Sequence, residues 1–239
     1  MLVDIIIPAY NPGHYLKDAI NSCIAQKYKD FKITVVDDNS AEDIRAITDQ
    51  FPGINYIRND KNLGPAGARN VGIKDTNGHL ISMLDADDIM HPRKLELSVA
   101  EFKKSKEIGM TCGNYRIIVN RSKMMRPFYT SPKDLRRLHR IDYNLLMKQN
   151  YVASGSVTMK RSAVEDVGFF DERYWIAEDY DMWLRISEKY PIKYIDNILY
   201  YYSVVPKGGS LTQRNDIQRD HIKNIEEIRK RSKDRMSKI

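Results

Sequence analysis

Three aspartates fall within four positions directly after a short apolar run in HLISMLDADDIMHPRK, residues 79–94. They are Asp85, Asp87 and Asp88. Like charges this close raise one another's pKa and cost stability unless a cation or strong hydrogen-bond donors lie among them. On an extended strand end Asp85 and Asp87 point the same way, so they can share an oxygen-preferring divalent ion. A turn followed by a helix N-cap is the structural alternative.

A second acidic pair, Asp37 and Asp38, ends the β-branched run FKITVVDDNS. This pair could serve only to cap a helix predicted to begin near Ala41. Two adjacent acids exceed what a cap requires, however, and one of them can accept hydrogen bonds from a nucleotide base or ribose. No GxGxxG sequence follows the first predicted strand and the chain has no P-loop sequence, so neither of these phosphate-binding motifs explains the acids.

The stretch NLGPAGARNVG, residues 62–72, opens a predicted helix with small residues and carries Arg69 within its first turns. Free N–H groups at a helix start and the forked donors of an arginine both suit an anionic phosphate group. Glycines at a helix start serve equally well for tight packing of the helix on a sheet. The sequence leaves both functions open for this stretch.

Three acids, Glu178, Asp179 and Asp181, open the predicted helix in WIAEDYDMWLRI, residues 175–186. Acids in a first turn complement the helix macrodipole, and Asp181 is spaced for an i,i+4 ion pair with Arg185. This structural function explains Asp181 well and the other two acids less well. A carboxylate at this place can act as a general base if it reaches a cleft.

The elements that must position these residues alternate between strand and helix patterns over about the first hundred residues. Such repeated alternation predicts a mainly parallel, Rossmann-like α/β sheet flanked by helices on both faces. Ligands of these sheets bind outside the carboxyl ends of the strands, where both acid clusters fall. The later half predicts mixed strands and one wall of a cleft, with a helix over SPKDLRRLHRIDYNLLMKQN, residues 131–150.

Composition predicts a water-soluble protein of a reducing compartment. The 239 residues are 42% hydrophobic and 30% charged, which is ordinary for a globular domain. Two distant cysteines, Cys23 and Cys112, indicate neither a disulfide framework nor a zinc site. The apolar N-terminus lacks a basic leader, and no run approaches the ~20 apolar residues of a membrane span, so we expect a cytoplasmic protein.

The formal net charge of +7 concentrates late in the chain, where KNIEEIRKRSKDRMSKI ends the sequence. Isoleucines recur there at roughly helical spacing, which predicts a C-terminal helix that packs on the domain and turns a basic face to solvent. Weak peripheral contact with the inner face of a membrane is the alternative. No nucleic-acid-binding motif accompanies the basic residues, so we expect no nucleic-acid partner.

Six motifs occur in the order and approximate spacing of a known enzyme family. They are IIIPAYN, VVDDNS, NLGPAGARNVGI, MLDADD, GSVTMKRSAVEDVGFFDE and EDYDMWLRI, and the similarity that they mark extends over about residues 3–205. The chain thus resembles the second family of inverting nucleotide-sugar glycosyltransferases. The resemblance implies a single A-type glycosyltransferase domain over residues 1–239, with a nucleotide-sugar-binding half at 1–110, a mixed acceptor-binding half at 111–212 and the basic helix at 213–239.

The same resemblance implies roles for individual residues. DAD resembles the family's D-x-D motif, in which Asp85 lies near the ribose and Asp87 holds a divalent metal, Mn²⁺ or Mg²⁺. Asp179 matches the general base that removes the proton of the acceptor hydroxyl. The residues matched to the nucleotide pocket are Pro8, Ala9, Tyr10, Asp38 and Arg69, the last of which approaches base or phosphate.

The resemblance predicts a metal-assisted transfer that inverts the anomeric carbon in one step. We expect the donor to be a UDP-sugar, because an acid in the base pocket can accept the imide N–H of uracil, and the acceptor to be a hydroxyl of a glycan or lipid-linked saccharide. Two alternatives stay open. A sugar nucleotidyltransferase would usually show a glycine-rich N-terminal loop, and a non-catalytic nucleotide-sugar-binding module could dispense with Asp179.

One departure from the family concerns the end of the last predicted strand. Many relatives carry an arginine and a histidine there, and the histidine can complete the metal site. This chain reads YYYSVVPKGGS, with Ser203 and Val205 at those positions. Water or another side chain would then fill the coordination sphere, or metal binding would be weaker. Lys207 is a candidate phosphate contact in a loop that could close over the donor.

Overall fold

One ten-stranded sheet forms the centre of the protein in the computed structural model, which describes residues 1–119, 123–124, 140–204 and 215–238. Its strands, in chain order, are β1 Val3–Ala9, β2 Phe31–Asp37, β3 Ile54–Arg58, β4 Leu80–Met83, β5 Ile89–Met90, β6 Met110–Val119, β7 Lys123–Met124, β8 Arg140–Ile141, β9 Thr158–Lys160 and β10 Ile192–Val204.

Helices lie between most of these strands. Those of the described ranges are α1 Tyr15–Ile24, α2 Ile44–Thr48, α3 Gly64–Lys74, α4 Lys94–Lys104, α5 Tyr143–Lys148, α6 Arg161–Val167, α7 Glu178–Lys189 and α8 Asn215–Met236, with a 3₁₀ turn at Ser154–Ser156. The spacing of apolar residues explains their packing. In α1, for example, Leu16, Ile20 and Cys23 recur every three or four residues and are all buried.

The sheet combines a parallel half with a mixed half. Its strand order is β3-β2-β1-β4-β9-β6-β10-β5, with β7 beside β6 and β8 beside β10. The first four strands pair in parallel, whereas β9 runs antiparallel to both β4 and β6. The predicted α/β architecture, with a mainly parallel first half and a mixed later half, is therefore confirmed.

Two apolar cores cover the two faces of this sheet. Alternate residues of β1 enter different cores, with Ile5 and Ile7 in one and Ile6 in the other. Strands buried on both faces must read as continuous apolar runs, which explains the sequence VDIIIPA. The first core also contains residues of α1 and α4, and the second contains residues of α3 and α7.

Two predicted elements differ from the observed ones. The helix expected from Ala41 begins at Ile44, because Asp43 is its N-cap and accepts a hydrogen bond from the Ala46 N–H at 3.0 Å. The helix expected over 131–150 is wrong at residues 140–141, which form β8, and α5 begins only at Tyr143. Pairing of β8 with β10 explains the change, since a tertiary contact overrides local helical periodicity.

The predicted C-terminal helix is present as α8 and packs on the second core. Ile228 and Ser232 are fully buried, whereas Ile222 is 64% exposed. Two of its arginines form ion pairs with the rest of the domain, Arg231 with Asp171 and Arg235 with Glu188. None of the helices in the described ranges combines the length and apolar composition that a bilayer span requires.

Candidate active site

The acid clusters end neighbouring strands of the parallel half. Strand β1 lies between β2 and β4, so the carboxyl ends of all three meet at one edge. The backbone holds the segments after these strands together, because the Asp38 N–H donates to Ala9 O at 2.8 Å and the Leu84 N–H donates to Ile6 O at 3.2 Å. This is the edge at which parallel α/β sheets bind their ligands.

Asp37 organises the turn after β2. One carboxylate oxygen accepts the Ser40 N–H at 2.8 Å, and the other accepts the Tyr56 hydroxyl at 2.8 Å and a donor from Arg58. Burial of Asp37 opposes its charge, but these hydrogen bonds outweigh burial and lower the pKa of Asp37. The carboxylate is thus an ionised, fully engaged structural group.

Asp38 caps helix α3 instead of the helix that follows it in the chain. Its Oδ1 accepts hydrogen bonds from Asn59 Nδ2 at 2.8 Å and from the Leu63 N–H at 2.9 Å, and its Oδ2 accepts the Gly64 N–H at 2.9 Å. Because Oδ2 takes only this one bond within the described residues, it keeps a lone pair for a further donor. Asp38 therefore fixes the loop over 59–64.

The other residues predicted for the nucleotide pocket lie at the end of β1. Ala9 is buried and Pro8 partly buried, while Tyr10 is 57% exposed. The next residue, Asn11, has a φ of 46° and accepts the Ala41 N–H through its side chain at 2.8 Å. These contacts fasten the β1 loop to the β2 loop and leave the Tyr10 ring at the surface.

Residues 85–88, which we call the acid turn, follow β4. The Asp88 N–H donates to Asp85 O at 3.0 Å, and buried Asp88 accepts the Ser203 N–H at 2.8 Å. Asp88 thereby joins the turn to β10 in the mixed half of the sheet. Asp85 and Asp87 stay partly exposed, so their carboxylates lie at the surface of this edge.

Arg69 supplies a cation that the acid turn requires. Its guanidinium is almost fully buried and donates to Asp85 Oδ1 from Nη2 at 2.9 Å and to Glu178 from Nη1. Burial opposes the charge, but the attraction of Asp85, Glu178 and Asp179 outweighs it and raises the pKa of Arg69. The sequence predicted Arg69 as a phosphate or base contact, and the structure places it as the link between two acidic elements.

The first turn of α7 carries the predicted general base. Ala177 precedes the helix in the left-handed conformation, with φ 68°, and Asp179 accepts the Tyr180 N–H at 2.6 Å. Burial first, and then repulsion by Glu178, raise the pKa of Asp179 to about 7, although Arg69 opposes this shift. A carboxyl group that titrates near neutral pH suits a proton acceptor.

The other acids of α7 have structural partners. Asp181 is buried and pairs with Arg185 Nε at 2.7 Å, which confirms the predicted i,i+4 ion pair. Arg185 also donates to the carbonyls of Val167, Gly168 and Phe169, so it fixes the loop before α7. The neighbouring Glu178 is buried against Arg69. Among the described residues, Glu178 and Asp181 each form an ion pair, and Asp179 is the one acid of these three that does not.

Lys94 is a residue that sequence reasoning missed. It is fully buried beneath the acid turn, where Nζ donates to Met83 O at 2.7 Å and to Gly155 O at 2.8 Å. Burial lowers the pKa of Lys94 to about 7, although Asp85 and Asp88 oppose the shift. A lysine at the start of a helix is normally solvated, so only the tertiary structure identifies this contact between β4 and the 3₁₀ turn.

The residues of the acid turn fit a divalent metal only in part. Carboxylate oxygens suit Mg²⁺ or Mn²⁺, and such ions are commonly held by one or two carboxylates together with substrate phosphates. No group of three or more His, Cys, Asp or Glu side chains with suitable geometry occurs in the described residues. Ser203, which stands at one of the positions where many relatives differ, is buried, and its hydroxyl has no hydrogen-bond partner among the described residues. Val205 and Lys207 lie outside the described residues.

Comparison with known sequences identifies the family. The model of the family described as Glycosyl transferase family 2 matches residues 4–168. An uncharacterised glycosyltransferase of Rickettsia conorii is 34% identical over 203 residues, which are 83% of this chain and 33% of that protein. The chain therefore spans about a third of this relative. The Escherichia coli protein WfgD, a UDP-Glc:α-D-GlcNAc-diphosphoundecaprenol β-1,3-glucosyltransferase, is 33% identical over 77% of this chain and 69% of its own length.

Solved structures share the fold. TarS 1–349 from S. aureus in complex with UDP-GlcNAc superposes with a TM-score of 0.73 at 18% identity, over 90% of this chain and 61% of that chain. The mannosyltransferase PcManGT from Pyrobaculum calidifontis, in complex with GDP-Man and Mn²⁺, gives 0.68 at 18% identity, over 86% and 58%. These proteins have the A-type glycosyltransferase fold. The chain belongs to glycosyl transferase family 2.

Proposed function

We propose that this protein is an inverting glycosyltransferase that moves a sugar from a UDP-sugar to a hydroxyl group of a glycan or lipid-linked saccharide. The main support for this proposal is the position of the Arg69 guanidinium, which contacts Asp85 of the acid turn and Glu178 next to Asp179. One buried cation thus joins the element expected to hold the donor to the element expected to activate the acceptor. Residues 1–110 serve the nucleotide-sugar and 111–212 the acceptor, within one domain.

The proposed base is Asp179. In a single in-line displacement the acceptor hydroxyl attacks the anomeric carbon, its proton passes to Asp179, and the bond from that carbon to the diphosphate breaks. The raised pKa of Asp179 favours this proton transfer near neutral pH. Arg69 and Glu178 hold the first turn of α7 and thereby orient the Asp179 carboxylate. Because the nucleophile and leaving group lie on opposite faces of the sugar, the product is inverted.

The donor is proposed to lie over the carboxyl ends of β1, β2 and β4. Tyr10 and the β1 loop flank the base, the free lone pair of Asp38 Oδ2 accepts the uracil imide N–H, and Asp85 faces the ribose. Asp87 would hold a divalent metal, Mn²⁺ or Mg²⁺, which when bound neutralises charge on the diphosphate. The mannosyltransferase of similar fold has Mn²⁺ in its complex, which supports a metal here.

The substrates are proposed from the relatives. WfgD is named for a UDP-glucose donor and an undecaprenol-linked acceptor, and TarS has been solved with UDP and with UDP-GlcNAc. A lipid-linked acceptor would bring the enzyme to the cytoplasmic face of a membrane, where Lys223 and Lys230 of α8 could make weak contact with anionic lipid.

Release of UDP tests this function. The protein is incubated with Mn²⁺ and UDP-glucose, UDP-GlcNAc or GDP-mannose, with and without an alkyl diphosphate of N-acetylglucosamine as acceptor. We expect acceptor-dependent UDP release and an inverted linkage by NMR. Binding of the donor with no release of UDP, whichever acceptor is added, would indicate a non-catalytic binding module. Pyrophosphate release from UTP and a sugar 1-phosphate would indicate a nucleotidyltransferase, and retention of configuration would contradict the mechanism.

A further inference from the structure

Trp175 is a large aromatic side chain in the loop that leads into α7, and 47% of it is exposed. The chain has one other tryptophan, Trp183, which is fully buried in the second core. Exposure of an indole leaves a large apolar surface in water, and tryptophans in such positions are enriched at binding sites. The mechanism described above does not use Trp175.

The indole is held against the start of α3. A Cβ atom at Gly64 would lie 2.8 Å from the ring atoms Cε3 and Cζ3 of Trp175, so only glycine lets the ring lie this close. Gly64 also has a φ of 74°, which glycine adopts without strain, and its N–H is bound by Asp38. The ring therefore lies against the start of α3, while its backbone belongs to the loop that leads into α7.

A cleft of about 220 Å³ lies beside the exposed ring. Its walls are formed by Arg173, Trp175, Ile176, Asp220 and Asn224. The Asn224 amide donates to Ile176 O at 3.0 Å and thereby holds α8 against this loop. The cleft thus combines one apolar aromatic face with a guanidinium, a carboxylate and an amide. These groups can donate to and accept from the hydroxyl groups of one small ligand.

We propose that Trp175 and this cleft form a saccharide subsite on the acceptor side of the active site. The indole would stack on the apolar C–H face of a pyranose ring, while Asp220 and Asn224 bind its hydroxyls. Trp175 lies four residues before Asp179, and only Ile176 and the left-handed Ala177 separate it from the first residue of α7. This inference rests on the proposed glycosyl transfer and adds the residues that bind the acceptor glycan.

The chemistry of the cleft favours a neutral sugar over the other ligands that an indole can stack on. A phosphate group would meet the Asp220 carboxylate, which repels it, and Arg173 already pairs with Asp171 Oδ2 at 2.7 Å. A nucleotide base would also stack on Trp175. The base is proposed to lie at Tyr10 and Asp38, however, and binding of uridine nucleotide at Trp175 is an outcome of the test.

Tryptophan fluorescence can report on this cleft selectively, because Trp183 is shielded from solvent. Acrylamide quenching is measured during titration with methyl glycosides of glucose, N-acetylglucosamine and mannose, with an alkyl diphosphate of N-acetylglucosamine, and with UDP. We expect saturable protection of Trp175 by at least one of the saccharide probes and weaker protection by UDP. Trp175→Ala should remove the quenchable emission, and the remaining Trp183 emission together with an unchanged melting temperature would confirm folding.

Kinetics give the second measurement. Trp175→Ala should raise the acceptor KM about tenfold, which corresponds to about 1.4 kcal/mol, and leave the Kd of UDP within about twofold. Asp220→Ala should raise the same KM by a smaller factor. Ile24→Ala, which truncates an apolar side chain that is 44% exposed on α1, is the matched control and should change neither constant.

The outcomes separate this inference from the proposed function. Saccharide protection of Trp175 without any UDP release would overturn the proposed transfer and leave the subsite standing. UDP-sugar turnover with an unchanged acceptor KM in Trp175→Ala would overturn the subsite alone. Absence of protection by every saccharide probe, or stronger protection by UDP than by any of them, would also overturn the subsite.

Discussion

Arg69 contacts Asp85 and Glu178 through the two terminal nitrogens of one buried guanidinium. The first acid follows β4, and the second lies 109 residues from Arg69 in sequence, at the start of α7. The clustered acids need a positive charge nearby, and the protein itself provides one in the Arg69 guanidinium. It also makes the positions of the acid turn and of Asp179 depend on one side chain.

Loss of Arg69 should therefore destabilise the protein. Arg69→Met leaves buried Glu178 without its cation, next to the partly buried Asp179, so we expect the free energy of unfolding to fall by about 3–5 kcal/mol. Urea denaturation measures this change. Glu178→Gln in the Arg69→Met background should recover part of the loss, since it removes one uncompensated charge. If Glu178→Gln changes the free energy of unfolding by the same amount in the wild type and in the Arg69→Met background, the two residues are not coupled.

Substitution of Asp179 should reduce turnover without weakening donor binding. Asp179→Asn keeps the shape of the side chain but cannot take a proton, so we expect kcat for sugar transfer to fall by about 10²–10⁴-fold. UDP affinity, measured by calorimetry, should be nearly unchanged. The control is Asp166→Asn, which changes an exposed aspartate near the end of α6 and should leave kcat unchanged. Wild-type kcat in Asp179→Asn, with loss in Glu178→Gln, would assign the base to Glu178.

The pH dependence of stability should report the same carboxyl group. Burial and Glu178 raise the pKa of Asp179 from 3.8 to about 7, so the folded protein keeps a proton that the unfolded chain releases between these values. The contribution of Asp179 to stability therefore falls as pH rises through this window. The Asp179→Asn variant has no carboxyl group to ionise there. The melting temperature of the variant minus that of the wild type should therefore increase from pH 4 to pH 7. A constant difference across this range would contradict the shift.

The acid turn should control the response to metal. Asp87→Asn removes a carboxylate that would hold the divalent ion, so we expect Mn²⁺-dependent transfer to fall by about 10²-fold or more and UDP to bind more weakly in Mn²⁺. UDP binding in excess chelator should be the same in variant and wild type. The control is Asp30→Asn, whose carboxylate is exposed and pairs with the N-terminus. Full activity of the wild type in saturating chelator would remove the metal from the mechanism.

Helix α8 should be part of the folded core. Ile228→Ala removes a fully buried side chain, and we expect a loss of about 2–4 kcal/mol in the free energy of unfolding. Ile222→Ala, on the same helix but 64% exposed, should change stability by less than about 0.5 kcal/mol. Chemical denaturation compares the two variants. Similar small effects would indicate that α8 docks only weakly on the domain.

The sequence alone determined the alternation of strands and helices in about the first hundred residues and the edge at which acids gather. β-branched runs such as VDIIIPA are long enough only for buried strands, and helical spacing between them requires crossover connections, so a parallel sheet follows. The acids at the ends of β2 and β4 then had to meet, because parallel strands end at a common edge. The i,i+4 pair of Asp181 and Arg185 was predictable for a similar reason, since both residues belong to one helix.

Only the tertiary structure decided which partner each acid takes. Asp38 caps α3 instead of the next helix because the 59–64 loop passes over the end of β2. Glu178 meets Arg69, and Lys94 is buried under the acid turn, because the sheet brings residues from distant parts of the chain together. Local sequence carries no signal for such contacts, since the same arginine or lysine would be solvated on an isolated helix. Their energies depend on burial, which is a property of the folded chain.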